Sequence, residues 1–75
     1  MQRITLHRIT DQGHTRYYRV ELFATLFGEY VVEREYGATR NKSATGQKKT
    51  EYHSLEEARS AFMVVVGEKK KKGYT

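Results

Sequence analysis

The chain of 75 residues contains no cysteine and no proline. Without cysteine there is no disulfide scaffold, no thiolate metal site and no cysteine nucleophile, and the composition fits a reducing compartment such as the cytoplasm. The lack of proline fits a domain built from strand ladders and helix, with few rigid turns. Long apolar runs are missing as well. The longest, Ala61 to Val66, has six residues, against the roughly 20 that a membrane span requires. No apolar segment follows the basic start, so neither a membrane partner nor a secretory signal is expected.

What is present is basic and aromatic. Fourteen Lys and Arg oppose nine Asp and Glu for a net charge of +5, and six Tyr with three Phe supply core bulk. A chain this short buries only about 60–65% of the surface that its unfolded form exposes. One domain over residues 1–75 is expected, with a single sheet-and-helix core and little room for a deep catalytic pocket. The charge is clustered. Lys69 to Lys72 supply four positive charges, and Arg40, Lys42, Lys48 and Lys49 follow one another with no acid between them. Both clusters are candidates to face an anion.

Periodicity gives the elements. Met1 to Ile9 is apolar and β-branched enough for a strand, and Thr10 to His14 reads as a turn. Thr15 to Thr25 alternates strictly: Tyr18, Val20, Leu22 and Ala24 share one face, and Tyr17, Arg19, Glu21 and Phe23 the other. Leu26-Phe27-Gly28 is a tight connection to a third strand, Glu29 to Tyr36, in an antiparallel hairpin. Gly37 to Gly46 has no period and reads as a mobile loop, and Gln47 to His53 as a short fourth strand. Ser54-Leu55-Glu56-Glu57 is a capping box. Leu55, Ala58, Ala61, Phe62, Val65 and Lys69 then fall on one helical face, and Gly73 stands where a helix ends in a left-handed turn. Tyr74 is expected to fold back on the sheet. The sum is an α+β fold: an antiparallel sheet of three to five strands with one amphipathic C-terminal helix packed on one face.

Several of these segments resemble a known family. Arg16-Tyr17-Tyr18-Arg19-Val20-Glu21-Leu22, Leu26-Phe27-Gly28-Glu29-Tyr30, Arg34-Glu35-Tyr36-Gly37, Gly46-Gln47, Ser54 to Phe62 and Lys71-Lys72-Gly73-Tyr74 are similar, in order and spacing, to the WGR domain. The likeness is to stand-alone bacterial WGR domains and to the WGR domain of the poly(ADP-ribose) polymerases. It implies a nucleic-acid-binding module, in which the motif Trp packs against a strand end and the motif Arg contacts the backbone. Here Tyr36 stands for that Trp and Ala38 for that Arg. Arg40, two residues on, is a cation that can swing into the vacated place.

The expected interface is therefore Tyr36 as a stacking platform, Arg34 beside it, and Arg40, Lys42, Lys48 and Lys49 as phosphate donors. The partner is nucleic acid, DNA before RNA, bound at backbone or strand ends without sequence preference. No cofactor, metal or enzymatic activity is expected: His7, His14 and His53 lack metal spacing, and no serine has a base arrangement. The alternative partner is a protein, docked on the wet strand face of Tyr17, Arg19, Glu21, Phe23, Val31 and Glu33.

Overall fold

The computed structural model describes residues 2–75. Four strands, β1 (Gln2–Ile9), β2 (Thr15–Ala24), β3 (Tyr30–Ala38) and β4 (Gly46–Tyr52), form one antiparallel sheet in chain order. Helix α1 (Leu55–Lys71) lies across one face. The expected elements are all present among the described residues; Met1, expected to open the first strand, lies outside them. The main difference is at the end of β3, where the ladder continues through Tyr17↔Gly37 and Arg16↔Ala38. Gly37 and Ala38 therefore belong to the sheet, and the expected loop shrinks to residues 39–45.

Period 2 sorts the side chains. On the helix side, Leu6, Tyr18, Val20, Leu22 and Val32 are buried, with Ile4, Tyr30 and Tyr52 packed around them. The helix answers with Ala58, which is fully buried, and with Leu55, Ala61, Phe62, Val65 and Val66. The small Ala58 side chain lets helix and sheet approach closely. Tyr17 and Phe23 lie on the face that no helix covers, because they alternate with Tyr18 and Leu22.

Both helix ends are built locally. The Ser54 hydroxyl accepts from Glu57 N–H at 3.1 Å, the first half of the capping box. At the C-terminal end, Gly73 adopts φ +98°, and the N–H groups of Gly73 and Tyr74 donate to the carbonyls of Lys70 and Lys69, both at 3.1 Å. This pattern closes the last turn and aims Tyr74 at the sheet. Tyr74 is buried there, and Thr75 exchanges two backbone hydrogen bonds with His7 on β1, each 2.9 Å. Arg8 donates from Nη1 to the Lys72 carbonyl at 3.1 Å, placing a cation at the negative end of the helix. Among the described residues, no helix is long and apolar enough to cross a membrane.

Stability should follow burial. Leu22→Ala is expected to lower the unfolding free energy by roughly 2–5 kcal/mol in a urea titration. Val64→Ala, at 58% exposure on the outer helix face, should stay within about 0.5 kcal/mol.

Candidate functional site

The cross-strand register brings Tyr18, Tyr36 and Gly46 side by side on the helix side of the sheet. The rings of Tyr18 and Tyr36 are stacked, with centroids 5.4 Å apart and planes within 5°. Gly46 makes room for this: a Cβ at that position would run into the Tyr36 ring. Tyr74 meets Tyr18 edge-on at 6.0 Å, and the Arg8 guanidinium lies 5.2 Å from the Tyr74 centroid. The result is an aromatic row across the end of the sheet. Tyr18 is 5% exposed and Tyr36 37%, so the row opens to solvent at Tyr36.

Cations gather at that opening. Arg34 and Lys48 face each other directly across β3 and β4. Lys69 reaches down from the helix, with Nζ 4.5 Å from the Tyr18 ring centroid. Together with Tyr18 and Tyr36, these three line a cleft of about 360 Å³. None of the three makes an ion pair among the described residues. Burial, then the positive charges of Lys72 and Arg34, hold the Lys69 ammonium below the ordinary lysine range.

The six expected site residues divide three ways. Tyr36, Arg34 and Lys48 converge in the cleft. Arg40 and Lys42 are exposed on loop 39–45, whose two ends are tied to the same strand end: Asn41 N–H donates to the Ala38 carbonyl at 3.1 Å and Thr45 N–H to the Tyr36 carbonyl at 2.8 Å. Lys49 lies on the opposite face, 4.0 Å from Glu33. The side chain paired with Ala38 across the ladder is Arg16, so the register sets a cation of β2 beside the place that Arg40 was expected to fill. Arg34 and Glu51 alternate onto opposite faces, so the acid nearest in sequence on β4 does not reach this cation.

Two members of the site lie outside those six residues, although Lys69 belongs to a basic run already marked as a candidate to face an anion. Tyr18 reads as plain core in a strictly alternating strand. Lys69 had a signal, because it ends the apolar helical stripe of Leu55, Ala58, Phe62 and Val65 with a cation.

On the uncovered face Arg19, Glu33, Glu35 and Lys49 are paired. Arg19 Nη2 meets Glu35 at 2.7 Å, the Tyr17 hydroxyl donates to Glu35 at 3.0 Å, and Gln47 donates to Glu33 at 2.6 Å. Partial burial, then the Glu35 hydrogen bond, raise the pKa of the Tyr17 hydroxyl.

A two-layer α+β fold with an aromatic, cation-lined cleft at one sheet end defines a small binding module. The chain belongs to the WGR domain family, whose model matches residues 2–75. That family is generally nucleic-acid-binding, and its domain binds rather than catalyses. No curated protein and no solved structure matches the chain.

Gly46→Ala tests how the site is built. The added methyl should force Tyr36 off Tyr18 while the sheet persists. The check is NMR of the tyrosine rings, where the ring-current shifts of the stacked pair should collapse. Unfolding free energy should change by about 1–3 kcal/mol, the range for overpacking.

Proposed function

We propose that the chain is a non-enzymatic module that binds nucleic acid through this cleft, without sequence preference, taking DNA at its backbone or strand ends. The observation that carries the reading is the convergence of Arg34, Lys48 and Lys69, without acid partners, on the exposed edge of the Tyr18–Tyr36 stack. Like charges set directly opposite on neighbouring strands are destabilising. A fold that keeps Arg34 opposite Lys48, and holds Lys69 partly buried near Lys72 and Arg34, gains when an anion neutralises them.

In this reading the three cations hold phosphate oxygens, and the Tyr36 ring takes a sugar or base face. Arg40 and Lys42 add contacts from the loop beside the cleft. Ring faces accept any base, and phosphate contacts position a strand without reading it, so sequence independence follows from the residue types. Lys49 is left out, because its face carries the paired carboxylates. A protein docked on the uncovered face is the second reading. It is weaker there because Glu35 already holds Arg19 and Tyr17.

Fluorescence anisotropy with a blunt duplex, a nicked duplex and a single strand checks the proposal. Three phosphate contacts give a slope of log K against log salt of about −2.7 on duplex, or about fortyfold between 50 and 200 mM salt. Lys48→Ala and Tyr36→Ala should each weaken binding about tenfold, and Lys49→Ala should leave it unchanged. Equal losses at Lys48 and Lys49 would reject the cleft, and no binding at low salt would reject nucleic acid. Loss through Tyr17→Ala or Phe23→Ala would move the site to the uncovered face.

Lys69 makes the affinity depend on pH. Its ammonium contributes only while protonated, and its folded pKa lies below the ordinary lysine value. Affinity is therefore full below that folded pKa and falls as pH rises through it, earlier than for a surface lysine. Lys69→Arg keeps its charge throughout and should flatten this fall in an alkaline titration of binding.

A further inference from the structure

Two hairpin turns of this molecule share one geometry and differ in what they present. In the β1–β2 turn, Thr10 N–H donates to the His14 carbonyl at 2.8 Å, Gly13 N–H to the Thr10 carbonyl at 2.9 Å, and His14 N–H to the Thr10 hydroxyl at 3.2 Å. The β2–β3 turn repeats the pattern with Thr25, Gly28 and Glu29, at 2.8, 3.3 and 3.2 Å. Gly13 and Gly28 take φ values of 79° and 82°. At the apex the first turn carries Asp11-Gln12, and the second Leu26-Phe27. The turn itself therefore has no need of apolar side chains. Yet Leu26 is 100% and Phe27 89% exposed, on a tip pinned by the Thr25 hydroxyl. Two large apolar groups held in water on a fixed protrusion are a binding feature.

Charge is sorted along the strand axis. Residues 22–32 and 50–57 build most of the tip end and hold Glu29, Glu51, Glu56 and Glu57 with no Lys or Arg, while Arg3, opposite Glu21, and Arg59, in the first turns of the helix, lie behind them. The far end holds Arg8, Arg16, Arg40, Lys42 and Lys69 to Lys72. Helix α1 runs from the acidic end to the basic one, because it starts beyond Tyr52 and finishes at Arg8. Glu29 and Glu51 sit close enough that a hydrogen bond and repulsion between them raise the pKa of Glu51. The acids around the tip disfavour an anionic lipid surface or a nucleic-acid groove as its partner. They favour a socket that is apolar, aromatic and basic.

The molecule carries such a socket at its opposite end. We infer that the tip docks into the cleft of a second copy of this chain. Phe27 packs on the exposed Tyr36 ring, and Glu29 and Glu51 face Arg34 and Lys48 of the neighbouring copy. Two different surfaces meet, so the contact is head-to-tail and propagates into open chains instead of closing as a symmetric dimer. The acidic rim makes the contact sensitive to salt.

Sedimentation velocity of the full chain, with no nucleic acid present, tests this separately from the binding proposal. At about 0.01 M salt, where the screening length is about 30 Å, the weight-average mass should climb above the 8.8 kDa monomer as concentration rises. At about 1 M salt it should return to the monomer. Phe27→Ser and Lys48→Glu change exposed side chains, and each should weaken association at least about tenfold, as a central contact residue does. Mixed in equal amounts, they should form a dimer and nothing longer, since one keeps a working cleft and the other a working tip. A wild type that stays monomeric at low salt overturns the inference. So does association that survives Phe27→Ser, or a mixture that remains monomeric.

Discussion

The Tyr18 ring is gripped from three sides: stacked on Tyr36, edge-on to Tyr74, and capped by the Lys69 ammonium at 4.5 Å. Its strand neighbours Val20 and Leu22 are fully buried, so the ring cannot leave without opening the core. The flat presentation of Tyr36 depends on this ring. So does the seat of Tyr74, and with it the closed end of the helix and the pairing of Thr75 to β1. Aromatic pairs add about 0.5–1.5 kcal/mol each beyond area burial. One residue in the core therefore organises the whole basic end of the molecule.

The electrostatics are sorted by face. On β3, Glu33 and Glu35 alternate with Arg34 and Tyr36, so the acids turn to the uncovered face and the cation to the helix side. The acids there find Arg19, Tyr17, Gln47 and Lys49. Exposed pairs of this kind contribute about 0–1 kcal/mol each, against 2–5 for a buried leucine. They set which face is neutralised more than they hold the fold together. The helix side keeps its charge. Lys69 to Lys71 fill the last helical turn, where the dipole favours cations, and this partly offsets their mutual repulsion. The cleft is thus charged before any ligand arrives.

Much of the candidate site was visible as residue types. Tyr36 beside Arg34 at a strand end, and a run of lysines re-entering the sheet, are readable from alternation and composition. The same alternation separates Lys48 from Lys49, but only once the strand is known to begin at Gly46. A shift of one residue would exchange their faces. Arg16 beside Ala38 is a matter of register, and the 21 residues between them carry no sign of it in sequence. Lys69 stands 51 residues from Tyr18, and what joins them is the crossing of the helix over the sheet.

Local sequence decides the elements and their ends: the strict period of β2, the serine cap of α1, and the glycines at the tight turns. These are local matters of φ, ψ and side-chain spacing, decided within a few residues. It also determined that one face of the sheet and one stripe of the helix would meet. Only the tertiary structure decided which cations share a cleft, which carboxylates are spent in pairs, and that charge runs from an acidic tip to a basic end. Those outcomes depend on cross-strand register and on where the helix crosses the sheet, and both are fixed by packing over the whole core.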